Sequence, residues 1–277
     1  MWGIIPAAGQ GTRIQPLAFS KELLPIGSKI DGDTERPKAV SEYLVERMLV
    51  AGVDKLCFVI SPGKADILGY YSRSPRDAAV CYVAQSEPLG LCDALFRALP
   101  LIAPEEQVLV GLPDTVWFPE QGLHYLPDGH FSFLLFHVTQ PQLFDAVLLD
   151  RTGRVAEIQV KNPRPSTWWV WGAFKLSGAK LVELHELWLR RRCADQYVGT
   201  LVNAYIAEGH KVYGIARGEE YVDVGTISGY RQALELLARR RTAFAGLAVG
   251  DEACAGPSSG AGSQPGQPGQ PGQPGPM

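Results

Sequence analysis

Along the first half of the chain, apolar residues fall in short unbroken runs, and these runs alternate with longer segments where such residues recur at helical spacing. Trp2 to Pro6 (WGIIP), Leu56 to Ser61 (LCFVIS), Ala79 to Ala84 (AVCYVA) and Gln107 to Leu112 (QVLVGL) are continuous rather than alternating. That pattern predicts strands buried on both faces, as in a parallel sheet. Between them, Val40 to Gly52 repeats Leu, Val and Met at helical spacing and stops at a glycine, and Leu91 to Leu99 does the same before Pro100. Both predict covering helices.

After Pro127 the runs crowd together. Phe131 to Thr139, Ala146 to Leu149, Val155 to Val160 and Trp168 to Leu176 predict closely spaced strands, with Arg151-Thr152-Gly153 as a turn signal, and hence antiparallel additions to the sheet. Helical patterns at Ala179 to Arg191 and Leu201 to Glu208 lead to a strand at Lys211 to Ala216, a loop at Arg217 to Thr226 and a last amphipathic helix ending near Arg241. The expected fold is therefore α/β: a Rossmann-like, mostly parallel central sheet with helices on both faces and added antiparallel strands. From Ala255 onward the Gly-, Pro- and Gln-rich text lacks the large apolar side chains whose burial offsets the entropy of ordering. One folded domain over 1–250 and a disordered tail over 251–277 are expected.

Composition narrows the function. With 277 residues, 46% hydrophobic and 20% charged, the chain has the proportions of a soluble globular protein. Its 26 Lys and Arg against 29 Asp and Glu leave a formal charge of −3, so no global positive field exists to hold nucleic acid or an anionic membrane. Any anionic ligand must be met locally. The apolar runs are far shorter than the roughly 18 to 20 residues that cross a bilayer. The opening MWGIIPAAGQGTR has no basic stretch of the kind that begins a signal peptide, so a cytoplasmic location is expected. The five cysteines are scattered without a CxxC pair, which predicts neither a zinc site nor a disulfide framework; four are expected as small core hydrophobes.

The most informative stretch is IIPAAGQGTRIQPLAFSKELLPIG, a buried strand followed by Gly9, Gly11, a Thr12-Arg13 pair and Lys21. Backbone N–H groups of a glycine turn can approach phosphate oxygens, a following helix N-terminus would add a partial positive charge, and Arg13 and Lys21 supply mobile charge. A bare GxG fits a tight strand-to-helix turn with solvated Arg and Lys equally well. Ile14 stands where a dinucleotide-binding GxGxxG needs glycine or alanine, and no Walker GK[ST] follows. A nicotinamide oxidoreductase is thereby disfavoured. Gln85, at a strand end, offers both a donor and an acceptor, as a uracil or thymine edge requires, and is otherwise an ordinary surface glutamine. Asp114 follows an apolar strand at the end where open α/β sheets bind ligands, though either it or Asp223 alone reads equally as a turn or cap residue. Trp168, Trp169 and Trp171 are compatible with strand residues filling the core.

Gly9-Gln10-Gly11-Thr12-Arg13-Ile14-Gln15-Pro16-Leu17 and Lys21-Glu22-Leu23-Leu24-Pro25-Ile26 resemble the GxGTRxxPL and KxLLPI signature of the sugar nucleotidyltransferases. Within that family the chain is similar to glucose-1-phosphate thymidylyltransferases and bacterial UTP-glucose-1-phosphate uridylyltransferases, from Trp2 to about Leu237. The resemblance implies the nucleotide-diphospho-sugar transferase fold, a catalytic domain over 1–250, dTTP or UTP and a sugar 1-phosphate as substrates, and Mg²⁺ as cofactor. It implies that Ala8, Gly9, Gly11, Thr12 and Arg13 wrap and neutralise the triphosphate, with Lys21 beside the α-phosphate. Gln85-Ser86-Glu87-Pro88-Leu89-Gly90-Leu91 resembles QPxPxGL, in which Gln85 would bond a pyrimidine and Gly90 would let backbone approach the base. Asp114 in Leu112-Pro113-Asp114 and Asp223 in Tyr221-Val222-Asp223-Val224-Gly225-Thr226 match the metal aspartates, two carboxylates suited to Mg²⁺.

Lys161 stands for the lysine of the family's EKP motif and would contact the sugar phosphate, but Val160 replaces the glutamate that holds sugar hydroxyls. Phe144-Asp145 replaces a Tyr-Gly, and Trp171-Gly172 places a large ring before the glycine. Asp145, Val160, Trp171 and Gly172 are the implied sugar-side residues, and their departures argue against a simple glucosyl acceptor. Two alternatives stay open: the same fold loading another phosphorylated compound, such as a modified sugar or an amino-alcohol phosphate, and a catalytically silent regulator that binds a nucleotide sugar. Relatives form dimers or tetramers, so a homo-oligomer is also open, and the Arg239-Arg240-Arg241 run is expected as a solvated helix end.

Overall fold

Ile4 and Ile5 are both fully buried, yet they enter different cores, because successive strand residues point to opposite sheet faces. The same alternation runs through the computed structural model, which describes residues 1–72 and 77–250, the side chains of 241–250 excepted. The tail expected over 251–277, with Cys254, lies outside the described residues. The chain runs β1 (Trp2–Pro6), β2 (Pro25–Asp31), β3 (Thr34–Ala39), α1 (Val40–Val50), β4 (Lys55–Ile60), α2 (Ala65–Tyr71), β5 (Ala79–Ala84), α3 (Leu91–Arg97), β6 (Gln107–Gly111), β7 (Thr115–Phe118), β8 (Ser132–His137), β9 (Ala146–Leu149), β10 (Val155–Gln159), β11 (Trp169–Ser177), α4 (Gly178–Arg190), α5 (Val198–Ala207), β12 (Tyr213–Gly218), β13 (Glu220–Asp223) and α6 (Ile227–Gly250).

The main sheet is ordered β5-β4-β1-β6-β11-β8-β12, with β9 and β10 annexed at one end of β11. β5, β4, β1 and β6 are parallel. β11 runs against both β6 and β8, so β8 and its parallel neighbour β12 regain the direction of the centre. One face carries α3, α4 and α5 over Ile4, Cys57, Val108 and Phe133; the other carries α1 and α2 over Ile5, Phe58, Leu109 and Leu134. From β1 the chain steps outward to β4 and β5, then crosses back to lay β6 on the other side of β1. Such a switch leaves a crevice at the carboxyl ends of β1 and β6, where open sheets take their ligands. A third apolar cluster, including Ile14, Ile26, Val116, Val224 and Leu236, seats the glycine loop on the β7–β13 ribbon and the start of α6.

Several expectations are corrected. The loop expected from Arg217 to Thr226 contains β13, which pairs antiparallel with β7 and places Val222 against the third cluster. No α-helix follows the glycine loop: Pro16 and Pro25 interrupt it, and a single 3-10 turn at Lys21–Leu23 leads into β2. β2 and β3 form an unanticipated hairpin around Gly32, whose φ of 61° suits a tight turn. The last helix continues past Arg241 to Gly250. Of the cysteines expected in the core, Cys57 and Cys92 are buried, but Cys81 is half-buried and Cys193 is exposed. One compact unit comprises Met1–Leu237; of a second, Ala238–Met277, the described part is the end of α6. Among the described residues no helix is long and apolar enough to cross a membrane.

The entry to α1 is fixed by Glu42. Its carboxylate accepts from the Ala39 N–H at 3.0 Å, from the Tyr70 hydroxyl at 2.5 Å and from both Nη atoms of Arg36 at 2.9 and 2.8 Å. Burial opposes its charge, but these donors prevail and hold the carboxyl at about 2, against an ordinary 4.5. Its contribution to stability is complete above pH 4.5 and is lost as the pH falls towards about 2. We therefore expect urea titrations of Glu42→Gln to show lower stability at pH 7 and a flatter decline across that acid window.

Candidate active site

The β7–β13 ladder sets Asp223 opposite Thr115, one residue from Asp114, so two remote aspartates meet at the mouth of the switch crevice. The Val224 N–H donating to the Asp114 carbonyl at 2.8 Å secures the junction. A cleft of about 440 Å³ opens there. Of the residues singled out in the sequence, Ala8, Gly9, Arg13, Lys21, Gln85, Gly90, Asp114, Asp145, Lys161, Trp171 and Asp223 line it. Gly11, Thr12, Val160 and Gly172 do not.

On the glycine-loop side, each aspartate is held by a cation. Lys21 Nζ donates to Asp114 Oδ2, and Arg13 Nη2 donates to Asp223 Oδ2 at 3.1 Å. Burial disfavours both charges of the Lys21–Asp114 pair, yet each charge holds the other: the ammonium is raised and the carboxyl lowered from their ordinary values. Gly9 faces open space, whereas Gly11 has a φ of 63° and a Cβ there would lie 2.7 Å from Lys21 Cδ. Gly11 therefore lets the lysine stem cross the loop, and Thr12 is exposed outside the cleft. Beneath them lies a buried pair that the sequence did not announce. Lys64 Nζ donates to the Ala7 carbonyl at 2.7 Å and to both oxygens of Glu22 at 2.7 and 2.8 Å, tying the start of the loop to the residue after Lys21. Burial pushes the Glu22 carboxyl up and the Lys64 ammonium down.

On the opposite side, Gln85 is buried and does not present both of its polar atoms. Its Nε2 donates to Asp93 Oδ2 at 2.7 Å and to the Gly90 carbonyl at 3.0 Å. Gly90 has a φ of 98°, and a Cβ on it would lie 2.7 Å from the Gln196 carbonyl oxygen, so what it admits is that backbone.

The third wall combines Leu143, Phe144, Trp171, Tyr197 and Tyr221 with Asp145 and Lys161. Lys161 takes a left-handed backbone, φ 49°, which costs a non-glycine residue about 1–3 kcal/mol. Its N–H donates to Asp145 Oδ1 at 3.2 Å, and its Nζ stands 3.9 Å from the same oxygen. Burial outweighs this attraction and raises the Asp145 carboxyl. Val160 points away: a Cβ on Gly199 of α5 would lie 2.5 Å from its Cγ2. Trp171 belongs to both readings, 6% exposed in the core and at the cleft edge, with a buried Nε1 that has no hydrogen-bond partner. Gly172 makes room for Tyr221, whose Cε2 would stand 2.5 Å from a Cβ there. Burial, with Asp223 and Asp114 nearby, raises the Tyr221 phenol well above its ordinary value.

Could this mouth hold a cation? A Cβ on Gly225 would meet Asp223 Oδ1 at 2.8 Å, Arg13 Nη2 at 3.1 Å and Asp114 Oδ2 at 3.6 Å, so both carboxylates border one space that only glycine leaves open. Among the described residues no group of three or more His, Cys, Asp or Glu is placed to hold a metal unaided. Two hard oxygen donors fit an ion such as Mg²⁺, which keeps several waters and completes its shell with substrate phosphates. Tyr221 and Glu22 lie inside motifs already recognised and could have been singled out there. Lys64, Asp93 and Tyr197 carry no local signal, since only the fold brings them to the site.

Comparison with known proteins agrees with this architecture. A glucose-1-phosphate thymidylyltransferase of Mycolicibacterium smegmatis is 26% identical over 247 residues, covering 86% of this chain and 82% of that protein. The UTP–glucose-1-phosphate uridylyltransferase of Bacillus subtilis is 30% identical over 151 residues, 46% of this chain and 49% of the relative. A UTP-bound UGPase structure from Acinetobacter baumannii superimposes with a TM-score of 0.70 at 19% identity, covering 85% of this chain and 92% of that one, which supports the fold. Residues 2–240 match the sequence model of the nucleotidyl transferases, and the chain belongs to that family.

Proposed function

We propose that the protein joins a nucleoside triphosphate, dTTP or UTP, to a sugar 1-phosphate, giving a nucleotide sugar and pyrophosphate, in the cytoplasm. The observation that carries this reading is the convergence of Arg13, Lys21 and Lys161 with Asp114 and Asp223 in one cleft at the switch of the sheet. A phosphate oxygen of the acceptor attacks the α-phosphorus, the bond from α-phosphorus to the bridging oxygen breaks, and pyrophosphate leaves. The nucleophile is already ionised at pH 7, so no general base is required; the task is to hold two anions together and stabilise the charge of the transition state. Arg13 and the glycine loop bind the leaving phosphates, Lys21 steadies the α-phosphate and Lys161 receives the acceptor phosphate. Asp114 and Asp223 would hold Mg²⁺, which supplies charge neutralisation at the phosphate oxygens. No covalent intermediate is invoked, and burial pushes the Cys57 thiol up, away from nucleophilic use.

A second reading keeps the chemistry and changes the acceptor. It is favoured by the aromatic third wall and by Val160 turning into α5, which together leave Asp145 as that wall's carboxylate. A matrix of triphosphates against sugar 1-phosphates and amino-alcohol phosphates, read by pyrophosphate production, separates the two.

Arg13→Ala and Asp223→Asn should each lower pyrophosphate release by about 100-fold or more, the scale of losing one preorganised charge-stabilising group. Cys57→Ser should stay within about twofold, since the thiol is remote from the chemistry. Full turnover in Asp223→Asn would remove that residue from the site. Excess chelator should abolish turnover and added Mg²⁺ should restore it; activity indifferent to chelator would discard the two-aspartate metal site.

A further inference from the structure

We propose that Asp93, braced by Arg97, is a positioning residue that sets the base preference of the nucleotide site, by locking the Gln85 amide with only its Oε1 turned to the cleft. This rests on the reading of the cleft as a nucleoside triphosphate site. An ionised carboxylate can only accept, and so can a backbone carbonyl, which forces the amide nitrogen of Gln85 towards Asp93 and Gly90. Those contacts, at 2.7 and 3.0 Å, engage both Nε2 protons. Among the described residues no donor is bonded to Oε1, and Gln85 borders the cleft.

Asp93 stands behind Gln85 on the first turn of α3, 7% exposed, and is absent from the cleft wall. Arg97, one helical turn on, donates from Nε to the same Oδ2 at 2.7 Å and from Nη1 to the Ala84 carbonyl at 3.4 Å. The carboxylate is thereby tied to the end of β5, the strand that leads into Gln85. The charged partner is the stronger of the two that hold Nε2. An amide locked this way reads a base by accepting. Uracil and thymine offer a ring N3–H to such an oxygen, whereas cytosine presents a lone pair at N3, and two acceptors would face each other unbonded.

The test is calorimetric titration of the full chain with UTP, dTTP and CTP in the presence of Mg²⁺, which needs no turnover; where dTTP binds tighter than UTP, it takes the place of UTP in the ratio to CTP. Wild type should bind UTP about tenfold or more tighter than CTP, the scale of one mismatched hydrogen bond. Asp93→Ala should bring that ratio down about tenfold, because the Gln85 amide is then free to turn. Asp93→Asn, whose Oδ1 still accepts from Gln85 and Arg97, should keep most of the preference. Arg97→Gln, altered from the solvent side, serves as a second variant with a smaller fall expected, should Asp93→Ala not fold. A purely structural role would weaken both nucleotides alike, so the ratio is the decisive quantity. Equal binding of UTP and CTP by wild type, or a wild-type ratio in Asp93→Ala, overturns the proposal and leaves the transferase reading standing. Failure of wild type to bind UTP, dTTP or CTP overturns both.

Discussion

Two carboxylates share one partly buried mouth, and the site is arranged to answer their charge. Burial by itself would drive the Asp114 carboxyl towards its neutral form, and the Lys21 ammonium beside it reverses that. Asp114 and Asp223 are tolerated because Lys21 and Arg13 arrive from the glycine loop, one cation to each. The loop is thus located by the charges it must answer, and Gly11 follows from the same need, since a side chain there would collide with the lysine stem. The Lys64–Glu22 pair extends the arrangement beneath the surface, coupling the first loop residues to the turn that carries Lys21.

The parts of this molecule legible in the sequence are those whose physics is local. Strands buried on both faces announce themselves as unbroken apolar runs, and Ala79–Ala84 and Ala146–Leu149 begin and end where the pattern predicts. The β7–β13 ribbon was not legible, because four-residue strands carry little periodicity and each exists by virtue of a partner far along the chain. The helix expected after the glycine loop failed for a readable reason, the prolines at 16 and 25. At the site, the charged residues were reached through their motif. Gln85 was singled out and does border the cleft, but its bond to Asp93 is a tertiary contact with no sequence signature.

The cleft is chemically lopsided. Its glycine-loop side is built from ion pairs and buried polar contacts, each with a named partner. The third wall is aromatic and aliphatic, with Asp145 and Lys161 answering chiefly to each other. The two walls therefore rest on different elements, the first on β1, β7 and β13, the second on the segments around β9, β10 and β11. Such a division lets one wall diverge while the other keeps its chemistry.

Val160 seated against Gly199 fixes the direction in which its side chain leaves the backbone. A carboxylate introduced there by Val160→Glu would start in the space beside Ile158 and α5, aimed away from the cleft. Turning that acid into the cleft would require the segment after β10 to turn over, which would swing its neighbour Lys161 out of place. Placing a cleft-facing acid at this position is therefore a task of backbone redesign.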